Sequence, residues 1–81
     1  MKQLLEFLTS KIVTHPKDVS IEEQIPGEGF LNLALSVHPE DTGLIIGKKG
    51  KTIKALKNII KVLGIKKNLK VNIELTNEQK D

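Results

Sequence analysis

The 81-residue chain contains no cysteine, no arginine, no tryptophan and no tyrosine. Without cysteine there is no disulfide staple and no thiolate metal site, which fits a reducing compartment. Without arginine there is no planar fork for bidentate reading of a base edge, so the basic surface works through lysine point charges. Phe7 and Phe30 are the only residues among Phe, Trp and Tyr, which argues against an aromatic platform of the kind on which some sheets stack nucleic-acid bases. No apolar run approaches the roughly 18 residues of a membrane span. The segment Met1–Phe7 carries Glu6 and does not read as a secretory signal. Both observations lead to the expectation of a cytoplasmic protein with no membrane partner. A domain this small buries only about 60% of the surface its unfolded chain exposes. A deep pocket for a small-molecule substrate would compete with the core for apolar residues, and none is expected.

The most informative absence is of negative charge. From Thr42 to Ile73 the chain has nine lysines and no carboxylate, and all ten carboxylates lie outside that stretch. The formal net charge is only +3, but segregation of this kind creates a local positive field that favours a polyanion.

Hydrophobic spacing outlines the fold. Met1, Leu4, Leu5, Leu8 and Ile12 recur at helical intervals, predicting a helix from about Lys2 to Thr14 that stops at His15-Pro16. Phe7, beside that stripe, is expected in the core. Val19 to Ile25 reads as a weak strand with Val19, Ile21 and Ile25 on one side. After the turn Pro26-Gly27-Glu28-Gly29, Leu31, Leu33, Leu35 and Val37 alternate with Asn32, Ala34 and Ser36, which completes a hairpin. Pro39-Glu40-Asp41 opens a short helix whose positive end suits carboxylates, and Leu44, Ile45 and Ile46 close it. A further amphipathic helix runs from Lys51 to about Leu63, with Gly64 as its stop. Leu69, Val71, Ile73 and Leu75 form the last strand. The expectation is one α+β domain over residues 1–76, ordered α-β-β-α-α-β, with three helices on one face of a three-stranded sheet and a polar tail at 77–81.

Between the last two helices, Gly47 and Gly50 bracket Lys48 and Lys49. Glycine reaches backbone angles closed to other residues and leaves room for a second backbone to approach. The first amides of the following helix lack internal partners and favour phosphate. Lys48, Lys49 and Lys51 add charge at the same place. A Gly-x-x-Gly alone is a weak signal, since any tight turn between helices can contain one. Its position inside the acid-free stretch strengthens it.

The run Gly43-Leu44-Ile45-Ile46-Gly47-Lys48-Lys49-Gly50-Lys51-Thr52-Ile53 resembles the signature of the KH domain. The element order resembles its bacterial, type II arrangement over about residues 1–75. The resemblance implies a single-stranded RNA-binding protein in which Gly47, Lys48, Lys49 and Gly50 clamp the backbone of about four nucleotides. Lys51 and Lys54 would add charge. Leu44, Ile45, Ile53 and residues of the Phe30–Val37 strand would line the groove. It further implies a cytoplasmic post-transcriptional regulator or RNA chaperone, acting as a homodimer or paired with a larger KH protein of the Jag type. Two positions depart from the family: Leu44 stands where a basic residue is often found, and Lys51 where an arginine is.

Other readings fare less well. Gly50-Lys51-Thr52 ends like a P-loop, but that motif needs glycine where this chain has Ile45. His15 and His38, each before a proline, read as turn residues, and Glu40-Asp41 as first-turn carboxylates. No catalytic residue, metal ligand or cofactor is therefore expected. A KH-fold dimerisation module with weak or no RNA binding, or a single-stranded DNA binder, stays open as an alternative.

Overall fold

A computed structural model describes residues 1–76, and the expected polar tail at 77–81 lies outside the described residues. The first helix, α1, spans Lys2–Ser10 and sinks Leu5 and Thr9 into the core. It is shorter than its hydrophobic spacing predicts. The run Ile12-Val13-Thr14 is β-branched and resists helical rotamers. The Ser10 hydroxyl donates back to the Phe7 carbonyl at 2.8 Å, a local alternative to helical pairing. The amides of Thr14 and His15 are drawn off altogether, to the carboxylate of Asp41. Phe7, expected in the core, is exposed and lies under the Lys11 ammonium, 5.1 Å from its ring centre.

After a 3-10 turn at Pro16–Asp18, β1 (Ser20–Gln24) runs antiparallel to β2 (Phe30–Ser36). Ile25, expected beside Val19 and Ile21, is exposed, because β1 ends at Gln24 on the edge of the sheet. A second 3-10 turn, Pro39–Asp41, leads into α2 (Thr42–Ile46), followed by α3 (Lys51–Lys66) and β3 (Lys70–Leu75). β3 pairs parallel with β2, so the sheet order is β1-β2-β3 and β2 is its central strand. The expected element order and α+β class are those observed.

Leu31, Leu33, Leu35 and Val37 are buried on one side of β2, as their alternation predicts. Ile21, Ile73 and Leu75 join them, and Leu5, Ile45, Ile53, Leu56 and Ile60 meet them from the helices. Five of these side chains, Leu5, Leu33, Leu35, Ile45 and Ile60, are fully buried. Burial of each stabilises the domain by about 1.5–3 kcal/mol.

Gly64 does not stop α3. The helix continues to Lys66, and its left-handed closing residue is Asn68, at φ +59°. The amides of Asn68 and Leu69 return to the carbonyls of Ile65 and Gly64 at 3.0 and 2.8 Å, the double bond pattern of a Schellman end. Gly64 serves packing instead. A methyl group there would lie 2.6 Å from Cγ2 of Val71 and 3.1 Å from the Leu69 carbonyl. Its missing side chain lets α3 lie close against β3.

Asp41 fixes the entrance to α2, but not as the sequence suggests. Its side chain makes no capping bond to that helix. It is 1% exposed and accepts from the Thr14 hydroxyl (2.7 Å), the Thr14 amide (3.2 Å) and the His15 amide (2.9 Å). Burial alone would raise the Asp41 carboxyl. The bonds from the Thr14 side chain, the two amides and the His15 ring outweigh it and lower the pKa from 3.8 to about 2. The unfolded chain therefore takes up this proton more readily than the folded one. The stability that Asp41 contributes is complete above pH 3.8 and is lost as the pH falls through about 2.

Candidate nucleic-acid interface

α2 ends where the Gly47 amide donates to the Gly43 carbonyl at 2.9 Å. Gly47 then takes φ +75° and ψ 176°, a combination open essentially to glycine alone. Space demands glycine as well. A Cβ at this position would fall 2.8 Å from the Thr52 amide nitrogen and overlap the Thr52 side chain. Thr52, in the first turn of α3, thus rests directly on the Gly47 backbone.

The loop continues as a tight turn, Lys48–Gly50, in which Lys49 sits at φ +56° and Gly50 at φ +75°. Lys49 is a non-glycine residue in left-handed backbone, held there by the turn. A Cβ at Gly50 would meet nothing within 4 Å. The two glycines therefore serve different ends: Gly47 admits Thr52 from within, whereas Gly50 takes a left-handed turn and leaves its outer side open.

The sequence suggested that the first amides of α3 point outward unpartnered. Two of them do not. The Gly50 amide donates to the Gly47 carbonyl at 3.1 Å, and the Lys51 amide donates to the Lys48 carbonyl. The turn consumes these donors itself and leaves Lys48, Lys49 and Lys51 as its exposed charged side chains.

Lys54, Lys57 and Lys61 continue along α3 at intervals of three and four, all exposed, and so share one face with Lys51. With Asn58 they form one wall of a cleft of about 310 Å³, and Val71, Asn72 and Ile73 of β3 form the other. Because β3 is an edge strand, the cleft opens along the margin of the sheet. Lys57, Asn58, Lys61 and the β3 wall were not among the residues expected at the site. The lysine spacing could have indicated the first wall. The second depends on strand order, which the sequence does not display.

The remaining expected site residues divide. Leu44, beside the clamp, is 46% exposed, and Lys51 and Lys54 are exposed with it. Ile45 is fully buried and Ile53 is 7% exposed. They present almost no surface to a ligand and brace the loop from the core. Nor does the Phe30–Val37 strand line the cleft. β2 has a strand on each side, its leucines are buried, and the wall is supplied by β3.

The two histidines are not isolated turn residues. His15 and His38 stack with ring centres 4.0 Å apart, beside Glu40 and Asp41. No described helix is long and apolar enough to cross a membrane.

A family model described as the KH domain of KhpA/KhpB matches residues 2–75. The chain is 41% identical over 75 residues to the RNA-binding protein KhpA of Clostridium perfringens, covering 93% of this chain and 99% of that protein. It is 34% identical over 79 residues to the protein of the same name from Chlamydia pneumoniae, covering 98% of this chain and all of the relative. Against the Bacillus subtilis protein of that name it is 32% identical over 75 residues, covering 93% of this chain and 91% of the relative. No solved structure matches it significantly.

Proposed function

The chain belongs to the KhpA/KhpB KH-domain family, and on that premise we propose that it binds single-stranded RNA, with Gly47–Gly50 as the backbone clamp and the α3–β3 cleft as the path beside it. The observation that carries this reading is the acid-free cleft at the sheet edge, walled by Lys54, Lys57 and Lys61 of the helix that follows the clamp. Lys48, Lys49, Lys51 and Lys54 attract the phosphates. Leu44 offers apolar surface next to the clamp, and Asn58 and Asn72 are the polar groups within reach of bases. The protein is read as non-enzymatic and cytoplasmic, a regulator or chaperone of RNA.

Lysine-dominated binding has a measurable signature. Each phosphate neutralised on a single strand contributes about −0.7 to the slope of log affinity against log salt. Three or four lysine contacts give a slope of about −2 to −3, a loss of about 15- to 60-fold between roughly 50 and 200 mM salt. Fluorescence anisotropy of a short labelled RNA reads this directly. A flat salt response would remove the lysine face from consideration, and an equal titration with matched DNA would turn the assignment toward single-stranded DNA.

Pairing belongs to the same proposal: a homodimer, or a heterodimer with a KhpB-type protein. What supports it is the outer side of α3, where Ile59 and Val62 are exposed next to the half-buried Leu63. Only Ile53, Leu56, Ile60 and Gly64 of α3 are buried, so these apolar side chains lie outside the core. Val62→Asp is expected to leave the fold intact and shift sedimentation from dimer to monomer. A monomeric parent chain would refute self-pairing.

A further inference from the structure

Away from the clamp, at the opposite end of α2, three metal-ligating side chains converge. His15 follows α1 and His38 follows β2, and each stands before a proline and a 3-10 turn. Their rings are nearly parallel, 13° apart in plane. Glu40 brings Oε1 to 3.7 Å from Nε2 of His15. One ligand atom from each of His15, His38 and Glu40 lies within 4.8 Å of the other two.

Proximity alone would carry little, since exposed carboxylates often lie near histidines. The hydrogen-bond partners of His15 add a second observation. Its Nδ1 faces Oγ1 of Thr14 at 2.9 Å and Oδ2 of Asp41 at 3.3 Å. The Thr14 hydroxyl hydrogen is already given to Oδ1 of Asp41 at 2.7 Å. Both neighbours of Nδ1 are therefore acceptors, and Nδ1 carries the proton. In the neutral ring this leaves a lone pair on Nε2, on the side of Glu40. A buried carboxylate behind one ring nitrogen, with the other nitrogen bare, is the support that metal-bound histidines usually have.

We propose that His15, His38 and Glu40 form a binding site for one divalent transition-metal ion of the zinc class, with Nε2 of His15 as the ligand already prepared. Two imidazoles and a single carboxylate suit zinc, nickel or copper and not magnesium or calcium, which take oxygen donors. Occupancy requires the stack to open. Lone pairs lie in the ring planes, and two nearly parallel planes do not converge on one ion. His38 is the ring that moves. It is half-buried, and its Nδ1 now accepts from the Glu40 amide at 3.0 Å, a bond given up when the ring turns. The Glu40 side chain is 74% exposed and free to follow. The fourth position falls to water. Binding is consequently weaker than at a closed structural zinc site, and it ties the loop after α1 to the entrance of α2.

The test uses the full chain without a histidine tag, titrated with zinc chloride at about pH 7.5 by calorimetry and by histidine-ring nitrogen NMR, with magnesium chloride as control. The expected result is one zinc per chain, shifts of the ring nitrogens of both histidines, and no heat with magnesium. Glu40→Gln alters an exposed side chain and His38→Gln a half-buried one, and each should weaken zinc binding about tenfold or more, with circular dichroism showing the fold retained. The proposal is overturned if zinc fails to bind at millimolar concentration, or if it binds with both variants unchanged.

Discussion

A chain carrying Lys48→Asp and Lys49→Asp keeps its fold and loses about a hundredfold in affinity for single-stranded RNA. Both side chains are exposed, so no packing is lost. Lys49 occupies left-handed backbone at φ +56°, which aspartate tolerates better than most residues. The substitution therefore relaxes the turn if it changes it at all. The binding loss follows from charge. Each lysine changes from positive to negative, a swing of four units at the clamp. One unit at about 5 Å from a phosphate is worth about 0.8 kcal/mol in water, so four give about 3 kcal/mol, or a little over two decades. A control with Lys2→Asp and Lys17→Asp changes the net charge equally on exposed residues outside the clamp. If it weakens binding as much as the loop variant, net charge and not the clamp governs affinity. Thermal melts followed by circular dichroism establish that both variants are folded.

Gly47→Ala and Gly50→Ala should differ sharply in spite of belonging to one motif. At Gly47 the methyl group meets Thr52 and the backbone is confined to angles that only glycine adopts readily. Strain and overpacking together cost about 3 kcal/mol, which lowers Tm by about 12–24 °C in a domain of this size. At Gly50 the methyl group meets open space, and only the left-handed angle counts against it. That costs about 1 kcal/mol, or about 4–8 °C in Tm. The folded Gly50→Ala protein should nevertheless bind RNA more weakly, because the methyl group occupies the open side on which the proposed clamp would receive the sugar-phosphate backbone. Equal thermal losses would show that Thr52 moves aside freely. Undiminished RNA affinity in Gly50→Ala would place the backbone elsewhere.

Local patterns carried far into the fold and then stopped where distant parts of the chain decide the outcome. The alternation through Leu31, Leu33, Leu35 and Val37 located β2 because every second residue must leave water together. The acid-free stretch located the basic face for a similar reason. Gly64 misled because a glycine near a helix end has two uses, and Val71, which makes close packing the operative one, lies in the next strand. Asp41 looked like a first-turn carboxylate because Thr14 and His15, its real partners, are distant in sequence. The same gap hid the contact between the two histidines. For the candidate site, the clamp residues and the start of the lysine face were readable from spacing. The second wall was not, because nothing in the sequence of β3 says which strand it will lie beside.

The arrangement of the central strand bears on when this protein becomes competent during synthesis. β2 is joined to β1 by a short turn, but its other neighbour is remote: Phe30 pairs with Lys70 and Leu35 with Leu75. Closing an excursion of roughly 40 residues costs about 3 kcal/mol of chain entropy beyond a constant, recovered only once the parallel strands have met. Both the clamp and α3 lie inside that excursion. The opening helix and hairpin can assemble as soon as they are made. The surface proposed to grip RNA is fixed in place only after Leu75 has emerged from the ribosome, so a nascent chain does not present the finished loop and cleft to the message that encodes it.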